Sequence, residues 1–348
     1  MEGVWFAIVT MMLAVYAVLD GFDFGVGALH RLVARTDGER RTVFAAIGPF
    51  WDGNEVWLVA AGGVLFMAFP RLYSAAFSGF YMPLMIVLWL LIFRGVSIEF
   101  RSHAEDPLVR EFWDSVFAFS SSLLAVVLGA SLGNVVRGVP LGATGEFAMP
   151  LFTDFLPGKR PGVFDWYTTM AGLFSLLVLA GHGALFLVWK TTGPVQIRAN
   201  ALARKVWIAV LICWPLLTLV TARVQPELFT TLAAQPWSWC LALPMLGGLA
   251  GVFRYSARAR ERAAFLSSCA FIFGVLATSM AGSYPVWLRS TLDRANDLTS
   301  TNAASGSYAL RAGLAWFVVG VSLAAAYFVL VFRIFRGKFA LNEEGYSQ

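Results

Sequence analysis

Gly48-Pro49-Phe50-Trp51-Asp52-Gly53-Asn54-Glu55-Val56-Trp57-Leu58 places two carboxylates and an amide at the mouth of an apolar run that continues to Phe69. Pro49 suits the first turn of a helix, where its missing N–H would have no partner anyway. Asp52 and Glu55 are three apart and share one helix face, and the dipole at a helix N-terminus favours their charge. A second acidic pair lies upstream in Leu19-Asp20-Gly21-Phe22-Asp23-Phe24-Gly25-Val26-Gly27, again inside an apolar run. Ionisable groups at membrane depth cost several kcal/mol, so they mark function by default.

Composition decides that these runs are membrane spans. The chain has 348 residues, of which 58% are hydrophobic and only 14% charged. With no polar block the size of a domain, it reads as an all-α, polytopic integral membrane protein and not as two soluble domains. Alternating β-barrel patterning is absent. The net charge is +5, but the basic residues fall in short loops between apolar runs, where they set orientation; nucleic acid is not implied. Cys213, Cys240 and Cys269 lie in apolar segments without metal-like spacing and read as core thiols. Met1-Glu2-Gly3 offers no basic n-region and no small-residue cleavage site follows, so the first segment is expected to remain as a span.

Nine spans are expected, at 4–30, 49–69, 73–98, 113–136, 166–189, 203–222, 237–254, 263–283 and 309–333, each near the ~20 residues a helix needs to cross the hydrocarbon. Segments 43–48 and 284–308 read as interfacial or loop pieces. With the N-terminus outside, the inner loops and tail hold 18 of the 26 basic residues, which predicts N-out, C-in and requires an odd number of spans. Gly25-Val26-Gly27-Ala28-Leu29 recurs as Gly181-His182-Gly183-Ala184-Leu185, and Ile92-Phe93-Arg94 as Val252-Phe253-Arg254. Chance in an apolar chain and a duplication both produce such echoes. The duplication divides the chain into two four-helix bundles related by a pseudo-repeat, 1–140 and 165–283, separated by an outer loop at 141–164. An outer polar loop at 284–308 and a ninth, peripheral helix with a cytoplasmic tail at 309–348 complete it.

Depth then sorts the charges. The first span runs inward, which puts Asp20 and Asp23 in its inner half. The second starts inside, with Asp52 and Glu55, and the third brings Arg94 and Glu99 to the same face. Carboxylates arranged in depth relay protons, or pair with arginine and hold helices together; both remain open for Asp20 and Asp23. For Asp52 and Glu55 the alternatives are a relay and an N-terminal cap. Arg94 and Glu99 read as an ion pair at an interface. Gly21 and Gly25 form a small-xxx-small pattern, extended by Gly27, that lets a neighbouring helix approach. No pair of haem ligands is marked. His30 and His103 sit at an inner helix end and in a charged inner loop, and His182, alone in an apolar span, reads as hydrogen-bonded to a neighbour. No metal cluster, phosphate loop or nucleophile elbow appears. The many Trp and Phe residues suit membrane belts, bundle packing or a groove for an isoprenoid tail.

Together, the L-D-G-F-D-F-G-V-G and W-D-G-N-E-V-W-L stretches resemble subunit II of the cytochrome bd family of quinol oxidases, cyanide-insensitive-type members included. So do Phe77-Ser78-Gly79-Phe80-Tyr81, Phe93-Arg94, Glu99-Phe100-Arg101, Gly133-Asn134 and Gly138-Val139-Pro140. The likeness is dense over 16–101 and rests on span order beyond about 141. Glu55 stands where many members have Gln, adding a carboxylate. The resemblance implies a subunit of a respiratory terminal oxidase in the bacterial cytoplasmic membrane that carries no haem and no catalytic residue of its own. Its partner would be a homologous subunit I holding haems b and d, or b alone, which oxidises quinol at the outer face. Lipid surrounds the pair, and a small single-helix subunit can join. A quinone lodged in subunit II is also among the family's features. Protons would be admitted from the inside through Asp52, with Glu55, Asp20, Asp23 and Glu99 in the pathway. Trp51, Asn54, Arg94 and Arg101 would contact the partner or a quinone tail. A rival from another class is a proton- or cation-coupled secondary transporter, and a third reading is a pure scaffold.

Overall fold

In a bilayer only the helix itself can satisfy the backbone N–H and C=O groups of a single apolar run. The computed structural model describes residues 1–339; the last part of the expected cytoplasmic tail, 340–348, lies outside the described residues. The helices are α1 (Glu2–Val33), α2 (Asp37–Ile47), α3 (Trp51–Ala68), α4 (Pro70–Gly79), α5 (Tyr81–His103), α6 (Pro107–Arg137), α7 (Trp166–Lys190), α8 (Gly193–Val224), α9 (Pro226–Ala234), α10 (Trp239–Ala257), α11 (Glu261–Ser283) and α12 (Ser307–Ile334). Among the described residues, eight helices are long and apolar enough to cross a membrane, all but α2, α3, α4 and α9. The chain is thus a predominantly helical multi-pass membrane protein. Helix α3 is not among the eight, and the Asp52, Asn54 and Glu55 of its first turns lower its hydropathy.

Boundaries differ from expectation where turn chemistry intervenes. The third apolar run does not form one span from 73. It breaks at Phe80 (φ −97°, ψ 25°), so α4 is a separate short helix. Pro83 then falls in the first turn of α5, where a missing N–H costs least. Segment 43–48 belongs largely to α2, whose start is a capping box: Thr36 accepts from the Glu39 N–H and Glu39 accepts from the Thr36 N–H. The polar 284–308 segment is ordered and not a simple loop. Its strands β1 (Val286–Leu288) and β2 (Leu298–Thr299) pair antiparallel. Trp287 packs its ring 4.1 Å from Phe6 and 5.2 Å from Phe69, measured between centroids. The thiols also depart from the reading: Cys240 is exposed and Cys213 and Cys269 only part-buried. Lipid is as apolar as a protein core, so hydropathy does not distinguish an inward-facing residue from an outward-facing one.

Helix α1 is the hub, packed against α3, α6, α7 and α11. It meets α7 at a crossing where no side chain intervenes. A Cβ on Gly25 would stand 1.8 Å from the Leu179 carbonyl oxygen, and one on Gly183 would stand 2.3 Å from the Val26 nitrogen. Gly21 faces Leu179 of the same helix, and Gly27 faces Ser121 of α6. The two copies of the recurring glycine motif thus meet each other at this crossing. His182 sits beside this crossing with both ring nitrogens occupied, Nδ1 by the Ser268 hydroxyl at 2.7 Å and Nε2 by the Val18 carbonyl at 3.0 Å. It ties α7 to α11 and α1, as the sequence suggested. Helix α12 lies outermost, against α3.

Candidate functional site: a buried acid–arginine cluster

Three helices converge on one polar cluster within the apolar first half. Helix α1 supplies Asp20 and Asp23, α3 supplies Asn54 and Glu55, and α5 supplies Arg94. Arg94 donates from Nη1 to Asp20 Oδ1 at 2.7 Å and from Nη2 to Glu55 Oε1 at 2.5 Å. Its guanidinium lies 4.6 Å from the centroid of the Phe24 ring, a cation–π contact that is strongest where water is excluded. Asn54 donates from Nδ2 to Asp23 Oδ2 at 2.8 Å and to the Leu19 carbonyl at 3.1 Å. Asp20, Asp23, Asn54 and Arg94 are fully buried, whereas the Glu55 side chain is 27% exposed. At ~1.5 Å per residue, Asp20 stands ~15 Å along α1 from His30.

Three carboxylates face one guanidinium here, and Asp20 Oδ2, Asp23 Oδ1 and Asn54 Oδ1 are buried with no hydrogen-bond partner. The Tyr16 hydroxyl and Arg94 Nε are buried and unpartnered donors of the same region, so three open acceptors stand against two open donors, and the remaining hydrogen must come from water or a bound proton. A cluster of this kind can hold and pass protons. Helix α1 runs unbroken through it, unlike the discontinuous helices at the substrate sites of coupled transporters.

The two carboxylates of the W-D-G-N-E run part company. Glu55 turns inward to Arg94, while Asp52 is exposed on the outside of the same turn. Asp52 does not cap the helix either: α3 begins from Phe50 without a side-chain cap, and Pro49 lies in the turn before it. From Asp52 through Glu55 to Asp20 and Asp23, exposure falls from open to nil.

Other expected groupings are corrected. Glu99 is exposed on α5 and does not pair with Arg94; the buried carboxylates claim the guanidinium because an unpaired charge in the interior costs far more than one at the surface. Asn54, Arg94 and Arg101 are interior residues and not a contact face, whereas Trp51 remains part-exposed. Arg101 belongs to a second cluster at the end of the bundle. It donates to Asp37 at 2.6 Å and to Asp114 at 3.1 Å. Asp114 is fully buried and also binds His30 Nε2 at 2.8 Å and Arg40 at 2.9 Å. Glu111 accepts from Arg40 and Arg31, and Arg31 also donates to the Ser115 hydroxyl. Sequence reasoning missed Asp114, one polar residue at the start of an apolar run. The signal was the run of arginines around α2, which needed an acid from elsewhere.

Two of the three histidines keep a ring nitrogen without a protein partner, among them His30 Nδ1, which is buried. Both nitrogens of His182 are bonded within the protein, His30 is held by Asp114, and the exposed His103 bonds the Glu99 carbonyl through Nδ1. Among the described residues, no group of three or more His, Cys, Asp or Glu is arranged to hold a metal ion.

Comparison with known proteins agrees with this architecture. The family described as cytochrome bd terminal oxidase subunit II matches residues 1–335. Cytochrome bd-I ubiquinol oxidase subunit 2 of Escherichia coli (strain K12) is 37% identical over 61% of this chain, an alignment that spans only 55% of that protein's length. Cytochrome bd ubiquinol oxidase subunit 2 of Bacillus subtilis (strain 168) is 31% identical, over 89% of this chain and 88% of its own length. A chain in the solved structure of bd oxidase from Geobacillus thermodenitrificans shares the fold, with a TM-score of 0.72, 19% identity, and coverage of 96% of this chain and 98% of that one.

Proposed function

This chain belongs to the cytochrome bd terminal oxidase subunit II family, and from that premise we propose that it is the non-haem subunit of a membrane quinol:oxygen oxidoreductase. Its partner would be a homologous subunit I that carries the haems and oxidises quinol. The haems, when bound there, supply the redox chemistry. This chain's own residues support the assembly and bring in protons from the cytoplasm. The observation that carries the proton role is the graded series Asp52, Glu55, Asp20 and Asp23, exposed at one end and buried with unpartnered oxygens at the other. Reduction of oxygen to water consumes protons, and a relay needs exchangeable groups that begin where water reaches them.

The test is Asp52→Asn. Because Asp52 neither caps α3 nor pairs with a neighbour in the described residues, the change leaves the fold intact and removes only ionisation. The assembled complex should keep its full haem content yet consume oxygen with quinol at least about tenfold more slowly, equivalent to ~1.4 kcal/mol of added barrier. Glu55→Gln, which also weakens an Arg94 contact, should slow turnover further in the double variant. Near-normal turnover of that double variant at full haem content would remove the proton role.

The finer topology follows the same reading. We infer nine spans, with α3 as the ninth, the N-terminus outside and the His30 end of α1 in the bacterial cytoplasm. The two-bundle repeat is supported by parallel order: α4 and α9 are short helices after the second long helix of each half, and α5–α6 and α10–α11 are the hairpins that follow. A small single-helix subunit or a quinone would have to seat on the exposed outer faces.

A further inference from the structure

A crevice of about 540 Å³ opens where the loop between α10 and α11 meets the end of α12. Its walls carry Arg260, Arg262, Arg336 and Lys338, and the carboxylate present is Glu261, which Lys338 engages at 2.6 Å. Among the described residues the three arginines have no carboxylate partner. Behind the wall, Lys190 is fully buried, with Nζ 4.5 Å from the ring centroid of Trp189, which lines the crevice. Its hydrogen bond goes to the neutral Phe335 carbonyl. Among the described residues, four cations thus line the crevice against one carboxylate, with Lys190 behind the wall. The first turn of α11 also lines the crevice and starts without a side-chain cap, so backbone N–H groups and the positive end of the dipole add to the field.

The remaining wall is apolar. Trp189 forms part of it, and so does Leu266, 51% exposed and one turn along α11 from Arg262. The occupant must therefore be anionic at one end and apolar at the other. We propose that this crevice binds the phosphate headgroup of an anionic phospholipid, with its glycerol and first acyl carbons against Trp189 and Leu266. A basic pocket between membrane helices, at the height where a tryptophan marks the interface, has the chemistry for that ligand. The proposal stands apart from the oxidase reading and uses none of the acid–arginine cluster.

The test uses the full-length chain purified with its natural partners and reconstituted in phosphatidylcholine bilayers. These are doped with phosphatidylglycerol carrying a photoactivatable headgroup. Crosslinks should map to residues 259–266 and to Arg336. Arg262→Gln or Arg336→Gln should each lower that labelling about fivefold, the effect of one basic residue at an anionic surface. Arg262→Lys and Arg336→Lys, which keep the charge, should retain most of it. A phosphatidylcholine probe with the same photoactivatable group should leave these peptides unlabelled, and excess inorganic phosphate should not compete. Equal labelling by the neutral probe, or labelling indifferent to the Gln variants, would overturn the proposal. Displacement by inorganic phosphate would overturn it in favour of a free-anion site.

Discussion

Substituting Gly25 by Ala adds one methyl group at the contact on which the hub helix depends. The new Cβ would lie 1.8 Å from the Leu179 carbonyl oxygen, 2.7 Å from its carbon and 2.8 Å from the Gly183 nitrogen, where ordinary contact begins at 3.4 Å. Helices α1 and α7 must therefore separate by roughly 1.5 Å, since the opposing atoms are backbone and no side chain can swing aside. Overpacking costs ~1–3 kcal/mol where neighbours can yield, and this site falls at the upper end. Separation also lengthens the His182–Val18 hydrogen bond, now 3.0 Å, which is worth ~1 kcal/mol. The expected loss is ~3–4 kcal/mol. Gly183→Ala should cost a similar amount, because its methyl would meet the Val26 nitrogen at 2.3 Å. The double variant should cost less than the sum by at least ~1 kcal/mol, as a crossing already opened by one methyl admits the other. Gly247→Ala is the control. Its Cβ meets nothing within 4 Å, so helix propensity alone should leave it neutral or stabilised by up to ~1 kcal/mol. Unfolding of the detergent-solubilised complex, followed by far-UV circular dichroism against heat and against denaturing detergent, reads all four. Stability of Gly25→Ala within ~0.5 kcal/mol of the parent, the scatter of ordinary surface changes, would refute the crossing.

Arg94→Gln should leave Asp20 and Glu55 without their cation and cost ~3–5 kcal/mol, seen as lost folded yield. Adding Asp20→Asn should recover part of that yield, and parental yield from Arg94→Gln alone would contradict the buried pairing. His30→Ala, His103→Ala and His182→Ala should each leave every haem band of the assembled complex in its reduced-minus-oxidised spectrum, scaled to subunit yield; loss of one band at normal yield would show a ligand in this chain. On α2, the Arg198 guanidinium, 2.5 Å from Oε2, holds the Glu39 carboxyl below its usual 4.5. A depressed carboxylate contributes stability that is full above its unfolded value and lost as pH falls through the lower folded one. Arg198→Gln should therefore flatten the acid limb of a melting-temperature profile below about pH 4.5 and leave the neutral region less changed; an unaltered acid limb would remove the pair's role.

Hydropathy and the placement of charge were enough to set the class of this protein and to single out its polar residues. Runs such as Val4 to His30 have no option in a bilayer but a helix, and the rarity of charge inside them made Asp20, Asp23 and Glu55 visible without coordinates. Glycine spacing likewise marked α1 as a helix open to close approach, because a missing side chain is a local property. Three things were decided only in the tertiary structure. The first is helix rotation: Asp52 and Glu55 share a face by spacing, yet one looks out and the other meets Arg94. The second is partner choice: Arg94 ignores Glu99 on its own helix and takes Asp20 and Glu55 from two others. The third is the Asp114 cluster, gathered from α1, α2, α5 and α6. Hydropathy could not supply these, since lipid and protein interior are equally apolar to a side chain. What separates them is the cost of an unpaired buried charge, and that cost is settled only when distant helices meet.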